Sequence, residues 1–364
     1  MTEETQTKME NKVETIETIK NNSEVLFLYD AKMCNPNGDP DDENKPRMDY
    51  IRNINLVSDV RLKRYIRDYL MEHKKQEIFV CKIEDKTVDA TGRLKKLIED
   101  NKTEIENNEE LKDLFGEGKK PNEKNLYNHL PWLLSKLIDV RFFGATMPLK
   151  SETGKGSQIT FTGPVQFNWG HSLNKSNGPI ESNTITSIFA GAGEKYGTMG
   201  KDYRVAYSLI GFHGIISAKR AEHTKLTDKD IDLFDDAMIN AIPMEATTRS
   251  KTGQEPSLYI RVEYNSGDFF CSDFRRYVKI KDKKGNDILW DDSAKLISIA
   301  DYTIDLSELS TKLKDIKDKI EKIHFWKHMD LEISGFDELL KGNEWKVNGK
   351  TITIIKLPKP KEEK

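Results

Sequence analysis

The stretch EVLFLYDAKMCNPNGDP, residues 24–40, decides the fold of this chain. Its first part, residues 24–34, is a mostly apolar run of strand length, and such a run favours a central position in a sheet. The run stops at NPNGDP, where two prolines and a glycine break the strand pattern and the asparagines and aspartate favour turns. We therefore predict a buried central strand that ends in a polar loop reaching to Asp49.

A helix is predicted directly behind this loop, starting near Ser58, whose hydroxyl can cap the first free N–H groups. Its apolar residues follow the spacing of a helix that packs on one side, namely Leu62, Tyr65, Ile66, Tyr69 and Leu70. The opposite face is basic apart from Asp68 and holds Arg61, Lys63, Arg64 and Arg67. A row of cations beside a polar loop can follow a phosphate backbone, and an ordinary solvated helix face is the alternative.

Composition sets wide bounds on the protein. A chain of 364 residues has room for one large domain or two average ones, and a hydrophobic content of 36% still allows a packed core at this length. The net charge of -3 does not by itself indicate a nucleic-acid binder, because phosphate contacts depend on local basic patches.

The cysteines and the hydropathy pattern argue against several classes of protein. Cys34, Cys81 and Cys271 form no C-x-x-C pair, which disfavours a zinc site and a disulfide framework. Apolar runs fall short of the ~20 residues of a membrane span, and the polar N-terminus does not resemble a signal peptide. We expect a cytoplasmic protein that does not bind membranes.

Three further strands are predicted from alternating apolar residues, at 159–173, 203–218 and 257–265. A helix at 227–242 separates the last two, with Thr227 and Asp230 as a capping box and with Ile231, Phe234 and Met238 on its core side. The order strand, helix, strand, strand, helix, strand is the split βαβ arrangement, with two helices behind an antiparallel sheet. The predicted fold class is therefore α+β.

Other segments are assigned by composition. Residues 1–23 are predicted to be a disordered leader, and the charged residues 86–124 a helical insertion followed by an apolar helix at 126–138. Residues 174–202 form a long Gly- and Ser-rich interruption of the core, which usually signals function or disorder. Residues 271–364 are predicted to contain a hairpin at 283–286, a charged helix at 307–322 and a strand pair around Asn348 and Gly349.

The loop after the first strand concentrates carboxylates at Asp39, Asp41, Asp42 and Glu43. Their spacing does not fit an EF-hand, and a two-metal nuclease would need carboxylates that converge from separate strands. Turn formation is the preferred interpretation. The histidines show neither metal spacing nor a Cys or Ser partner, so we predict no metal site, no cofactor and no catalytic residue.

The segment GAGEKYGTMGKD, residues 191–202, does not match a phosphate loop, because Gly200-Lys201 is followed by Asp202. A flexible arm is more plausible, with apolar tips at Phe189, Tyr196 and Met199 that wedge between bases. Lys201 and Arg204 would hold phosphate beside these tips. The run TTRSK, residues 247–251, offers Arg249 and Lys251 for phosphate, with a solvated turn as the alternative.

Five blocks of sequence resemble the backbone subunit of type I CRISPR Cascade complexes, most closely subtype I-B, with the I-C backbone protein as a near neighbour. They are LFLYDAKMCNPNGDPDDENKPRMD (26–49), LVSDVRLKRYIRDYL (56–70), FTGPVQFNWGHSLN (161–174), GTMGKDYRVAYSLIGFHG (197–214) and ATTRSKTGQEPSLYIRVEY (246–264). Several long blocks in the right order make a chance likeness improbable.

The resemblance implies a hand-shaped protein with a modified RNA-recognition fold as its palm, residues 24–270. Residues 86–124 would belong to the fingers, 174–202 would be the thumb, and 271–364 a C-terminal extension packed on the palm. Copies would stack along a CRISPR RNA as a helical filament, each thumb flipping one nucleotide outward. The free guide segments would pair with target DNA, and the cap, large and small Cascade subunits would be further partners.

The residues expected to bind RNA lie in the first loop, the first helix, the thumb and the TTRSK run. They are Asn35, Asn37, Arg47, Ser58, Arg61, Lys63, Arg64, Arg67, Phe189, Met199, Lys201, Arg204, Arg249 and Lys251. The stretch IGFHGI matches an RNP1 pattern only at Gly211-Phe212, so the sheet face is not expected to be the RNA platform. Two alternatives stay open: a metal-dependent ribonuclease using Asp39 or Asp49, and a generic single-strand coating protein.

Overall fold

The computed structural model describes residues 17–83, 87–116, 120–148, 158–185 and 199–358. Phe189 and Tyr196, two of the three predicted apolar tips, lie outside the described residues, as does most of the predicted leader. None of the helices within the described ranges combines the length and the hydropathy required to span a bilayer.

The strands in the described residues follow one another from Ser23 to Lys356. They are β1 (Ser23–Cys34), β2 (Gly38–Asp39), β3 (Lys45–Pro46), β4 (Met48–Asp49), β5 (Ile54–Val57), β6 (Gly144–Met147), β7 (Ile159–Thr162), β8 (Val165–Phe167), β9 (Gly170–Ser172), β10 (Ile180–Ile185), β11 (Met199–Ile216), β12 (Gln254–Tyr264), β13 (Lys279–Lys281), β14 (Thr303–Asp305), β15 (Ile320–Lys327), β16 (Glu332–Ser334), β17 (Glu344–Val347) and β18 (Lys350–Lys356).

The helices lie mainly before β6 and around β12. They are α1 (Asp59–Lys74), α2 (Ala90–Asp100), α3 (Lys102–Glu106), α4 (Leu130–Lys136), α5 (Ile138–Phe143), α6 (Ala218–Thr224), α7 (Asp228–Glu245), α8 (Ser307–Asp315) and α9 (Glu338–Lys341). Short 3₁₀ turns supplement them, at Glu109–Leu114, Glu123–His129, Phe274–Tyr277, Asp292–Lys295, Ile299–Asp301 and Lys317–Lys319.

One large mixed sheet organises the molecule, and β1 lies near its middle. The strand order is β17-β18-β15-β12-β1-β11-β9-β5-β4, and β8 and β10 also pair with β11. β1 pairs antiparallel with both β11 and β12, whereas β15 and β18 run parallel. The predicted central position of the first strand is confirmed.

Both faces of this sheet are covered by separate hydrophobic clusters. On one face, Phe27 and Tyr29 of β1 pack with Ile66 of α1 and Phe234 of α7. On the other face, Leu26 and Leu28 pack with the C-terminal layer, which contributes Tyr302, Leu309, Phe336 and Trp345. Successive side chains of a strand point to opposite faces, so β1 supplies both clusters. The strands around β1 are therefore covered on both sides.

The helical insertion has a hydrophobic cluster of its own, built by Leu94, Leu97, Leu126 and Leu133 together with Met147. The helix predicted at 126–138 is wrong as a single element. The chain forms a 3₁₀ turn at Glu123–His129, then α4, then α5. Pro131 lies in the first turn of α4, where its missing N–H costs nothing, but it cannot lie inside a helix that begins at 126.

The strand predicted at 159–173 is also wrong as a single element, since it divides into β7, β8 and β9. β7 pairs with β6 outside the large sheet, while β8 and β9 pair with β11. The break falls at Gly163, where an added Cβ would lie 2.2 Å from the carbonyl carbon of Phe143. The chain needs a glycine here because two backbone segments approach so closely.

Two C-terminal expectations are confirmed and one is corrected. The hairpin at 283–286 is closed by a bridge between Lys281, the last residue of β13, and Asp287. β17 and β18 pair around Asn348 and Gly349. The charged helix ends at Asp315 and not at 322, because residues 320–327 form β15. That strand was missed from the sequence, and it extends the large sheet beside β12.

Candidate nucleic-acid interface

The end of β1 and the start of α1 are joined by a hydrogen-bonded cap. Oδ1 of Asn37 accepts from the backbone N of Ser58 at 2.8 Å and from its Oγ at 3.0 Å. Oγ of Ser58 accepts in turn from the backbone N of Arg61 at 3.3 Å. The predicted cap at Ser58 is confirmed. The positive end of the α1 dipole therefore lies beside the polar loop, a position that favours anions.

Arg61 and Lys251 bring two positive charges to this cap. The guanidinium of Arg61 lies 4.0 Å from the ring centroid of Tyr65, and its buried Nε has no hydrogen-bond partner in the described part of the chain. Nζ of Lys251 donates to the backbone carbonyl of Asn35 at 2.6 Å. Burial, followed by the charge of Arg61, lowers the pKa of Lys251 to about 8.

We refer to Asn35, Asn37, Ser58, Arg61 and Lys251 as the α1 seat. Across the described ranges, no carboxylate forms an ion pair with either of its cations, although most other cations of this region have one. A partly buried cation without an opposite charge is unfavourable, and an anion bound there would remove part of that cost. The seat therefore combines a helix N-terminus with two such cations, an arrangement that favours an anion.

The other cations of the basic face predicted for α1 each form an ion pair within the protein. Lys63 is buried, 3.1 Å from Asp59, and donates to Gln166. Arg64 pairs with Asp68, one turn further along the helix. Arg67 pairs with a buried carboxylate of α5. The sequence pattern indicated cations but not their partners, which come from several different segments.

The carboxylates of the loop are held by neighbouring cations. Oδ2 of Asp39 accepts from Arg47 at 2.8 Å, and Oδ2 of Asp49 accepts from Arg52 at 2.7 Å. Glu43 accepts from the hydroxyl of Tyr203 and pairs with Lys201 of β11 at 3.2 Å. Within the described ranges, no group of three His, Cys, Asp or Glu side chains is arranged to hold a metal ion.

The predicted arm is a two-stranded hairpin at its base. β10 pairs antiparallel with β11 from Ile180 opposite Arg204 to Ile185 opposite Met199. Arg204 donates to the backbone carbonyl of Met33 at 2.7 Å and to that of Arg249 at 3.2 Å. The base of the arm is thereby joined to the end of β1 and to the TTRSK run. The predicted tip, Phe189, lies outside the described residues, and of Met199 only the backbone is described.

A group of aromatic residues next to the α1 seat was not selected from the sequence. Trp169 and Trp290 keep 45% and 44% of their surface exposed, unusually high values for tryptophan. The guanidinium of Arg47 lies 6.0 Å from the ring centroid of Trp169. His171 pairs with Leu56, two residues before Ser58, through the ladder of β5 and β9. His171 and Trp290 are far apart in the sequence and come together only in the folded chain.

The structure thus defines an α+β protein with a large mixed sheet, covered on both faces, and an uncompensated basic seat at the end of its central strand. The chain belongs to the family of CRISPR-associated protein Cas7, whose model matches residues 21–307. The resemblance found in the sequence is therefore confirmed at the level of the family, and the match continues past the last recognised block.

A relative found by sequence agrees with this assignment. CRISPR-associated protein Cas7 of Haloferax volcanii is 31% identical over 341 residues, which cover 90% of this chain and 93% of the relative. Among solved structures, a chain of a pre-nicking CRISPR RNA-guided surveillance complex superposes with a TM-score of 0.48 and 9% identity, over 86% of this chain and 96% of that one. A chain of another CRISPR RNA-guided surveillance complex gives 0.45 and 12% over 86% and 94%. The family assignment rests on the sequence matches.

Proposed function

We propose that this protein is a non-catalytic CRISPR RNA-binding backbone subunit of a type I-B Cascade complex. Copies of it would line up along the guide RNA and leave guide segments free to pair with target DNA. The observation that carries the proposal is the α1 seat, where Arg61 and Lys251 lie at a helix N-terminus with a buried, unpartnered Arg61 Nε and without a carboxylate partner among the described residues.

A backbone phosphate matches each part of this seat. Its charge would offset the two cations, and its oxygens can accept from the guanidinium and the ammonium. Because such contacts involve phosphate and not base edges, binding would be independent of sequence. A subunit that must coat guides of different sequence needs that property.

Other predicted RNA contacts fit less directly. Lys63, Arg64 and Arg67 are each paired inside the protein, so a phosphate would have to compete with Asp59, Asp68 or Asp139. Lys201, Arg204 and Arg249 lie at the base of the arm and Arg47 lies in the loop, beside the seat. We expect Arg61 and Lys251 to contribute most to RNA binding. Lys201, Arg204, Arg249 and Arg47 would lie along the path of the RNA.

The architecture supports a palm derived from an RNA-recognition fold. The strand order β12-β1-β11, followed by β8 or β9, with α1 and α7 on one face, is consistent with the split βαβ arrangement. In this proposal the helical insertion is finger-like, the β10–β11 arm is the base of the thumb, and the C-terminal layer closes the second face of the palm. The RNA would run along the side of the sheet at which β1 ends.

A role without chemistry is supported by the state of the loop carboxylates. Asp39 and Asp49 each form an ion pair with an arginine, which leaves neither as a free metal ligand. The remaining partners in the proposal are further copies of the chain and the cap, large and small subunits of the complex. We place the complex in the cytoplasm.

The test is RNA binding by the purified protein, followed by fluorescence anisotropy with single-stranded RNA at several salt concentrations. Arg61→Ala should weaken binding about tenfold for RNAs of unrelated sequence and should reduce the slope of log affinity against log salt by about one. Lys219→Ala is the matched control, since Lys219 is an exposed cation of α6 that pairs with the exposed Glu222. Equal affinities for the wild type and Arg61→Ala would exclude the seat as the phosphate site.

A further inference from the structure

A cleft of about 600 Å³ opens beside the α1 seat, between the loop that follows β4 and the segment ahead of the Asp292–Lys295 turn. Arg52, Asn53, His171 and Trp290 are among the residues that line it. Trp290 is 44% exposed, and the side chain of Arg52 is 75% exposed. Keeping a large aromatic ring in water is unfavourable unless a ligand covers it.

His171 gives the wall of this cleft a hydrogen-bond donor of fixed position. Nη1 of Arg275 donates to Nδ1 of His171 at 3.0 Å, so Nδ1 must be the unprotonated nitrogen of the ring. Burial, followed by the charge of Arg275, lowers the pKa of His171 and keeps the ring neutral. The remaining ring nitrogen, Nε2, then carries the hydrogen, and it has no partner within the described residues.

The arginine that fixes His171 is itself held rigidly. Arg275 donates to both carboxylate oxygens of Asp273, at 3.0 and 2.6 Å, and its Nη1 also reaches the carbonyl of Trp169 at 2.8 Å. The side chain of Arg275 is 6% exposed. The orientation of the His171 ring is therefore set by buried contacts and does not depend on a ligand.

β5 connects the cleft to the α1 seat, since Ile54 at one end of this strand lines the cleft and Ser58 follows its other end. The backbone N of Arg47 donates to the carbonyl of Asn37 in the seat at 3.0 Å, and the guanidinium of Arg47 lies over Trp169. Trp169 and His171 are two residues apart, the spacing that places side chains on one face of an extended chain. An RNA strand that leaves the seat along β5 would reach the cleft at Ile54.

We propose that this cleft is a stacking pocket for an unpaired nucleobase of single-stranded RNA. Trp290 is the stacking surface, Nε2–H of His171 and the amide of Asn53 meet the edge of the base, and Arg52 lies beside the next phosphate. The inference rests on the proposed function, since the α1 seat delivers the strand. A base is favoured over a protein segment because the cleft combines one aromatic face with unpartnered polar groups and an exposed cation.

The experiment uses the full chain and a single-stranded RNA that carries one 5-iodouridine, cross-linked with ultraviolet light and mapped by mass spectrometry. The expected cross-link is at Trp290. Trp290→Ala should weaken RNA binding about tenfold, the loss expected for one base–aromatic stack, without changing the salt dependence. Trp290→Phe should retain most of the affinity. Tyr127→Ala, which removes an aromatic side chain 40% exposed on the helical insertion, should bind as the wild type does.

The outcomes separate this inference from the proposed function. Salt-dependent RNA binding by the wild type, with no cross-link at Trp290 and full affinity in Trp290→Ala, would overturn the pocket and leave the α1 seat intact. A Trp290→Ala protein that binds RNA normally but no longer associates with a second copy of the chain would identify a protein-docking site and overturn the pocket. A wild-type protein that binds no RNA would overturn both proposals.

Discussion

Nε of Arg67 lies 2.9 Å from Oδ2 of Asp139, a carboxylate with no exposed surface. The same carboxylate accepts from the backbone N–H groups of Phe79 and Val80, at 2.7 and 3.1 Å. One side chain of α5 therefore ties α1 to the segment that leads into the helical insertion. In this arrangement Arg67 stabilises the fold, although its place on α1 suggested a contact with RNA.

The first prediction follows from this contact. Arg67→Ala should lower the free energy of unfolding by about 3 kcal/mol, because it leaves a buried carboxylate without its counter-charge. The folded fraction should bind RNA with unchanged affinity. Chemical denaturation and RNA titration measure the two effects. Arg64→Ala is the control, and loss of its partly exposed pair with Asp68 should cost no more than about 1 kcal/mol. A large loss of affinity in Arg67→Ala, with normal stability, would contradict the structural role.

RNA binding should depend on pH through Lys251. Its pKa is lowered to about 8 by burial and by Arg61, and a bound phosphate would raise the pKa in the complex. The contribution of Lys251 to affinity is then complete below about pH 8 and is lost as the pH rises through the pKa of the complex. We expect a three- to tenfold loss of affinity between about pH 7 and pH 9. Lys251→Arg should remove this dependence; if it persists unchanged, another group titrates.

The stability of the protein in acid should depend on the ionic network that joins Glu263 of β12 to Arg261 and His324. Burial alone would raise the pKa of Glu263, but the hydrogen bond with His324 and the charge of Arg261 hold it at about 2 against an ordinary value of 4.5. Its contribution is therefore present above pH 4.5 and is lost as the pH falls through about 2.

Glu263→Gln should accordingly destabilise the protein by about 2 kcal/mol at neutral pH and flatten the loss of stability below pH 4.5. Denaturation at a series of pH values measures both effects. Glu344→Gln removes an exposed carboxylate paired with Lys346 and should leave both properties unchanged. Identical acid profiles for Glu263→Gln and the wild type would exclude Glu263 as the titrating group.

The loop carboxylates provide a test of the non-catalytic role. Asp39→Ala should release Arg47 and loosen the loop, with no effect on the integrity of bound complementary RNA in the presence of Mg²⁺ or Mn²⁺. Gel analysis of labelled RNA on the wild type and the variant checks this. Metal-dependent cuts at regular spacing in the wild type that disappear in Asp39→Ala would support the ribonuclease alternative instead.

Shortening the arm should separate folding from RNA spacing. Replacing residues 186–198 with a short Gly-Ser linker leaves the pairing between strands β10 and β11 in place, so the unfolding midpoint should be close to that of the wild type. In nuclease footprinting of RNA bound to the assembled complex, the protected segments should no longer recur at a regular interval. A footprint with the same interval would place the spacing device elsewhere in the chain.

The sequence predicted those elements that are specified locally. β1, α1 and α7 carry their own apolar patterns and caps, and their observed bounds lie close to the predicted ones. β15 was missed because Leu309, Leu313 and Ile316 continue with helical spacing to Ile320. In the folded chain, pairing with β12 outweighs that local preference.

The site was predictable only in part, because its contacts join distant segments. The cap at Ser58 follows from residue type, but its bond to Asn37 spans 21 residues and that of Arg67 to Asp139 spans 72. Periodicity can place a cation on a helix face, but it cannot tell whether a carboxylate elsewhere in the chain will neutralise it. For the same reason, nothing in the sequence indicated that His171 and Trp290 line one cleft.

β11 runs for 18 residues without interruption, from the arm through its pairing with β1. Because side chains alternate along a strand, one residue inserted between Tyr203 and Val205 would turn the whole arm over relative to the core, whereas two would preserve its facing. Insertions in this part of β11 that preserve the facing of the arm must therefore be even in number, unless a bulge absorbs the odd residue. The alternation of side chains that builds the two hydrophobic clusters therefore also decides which insertions in β11 keep the arm facing the same way.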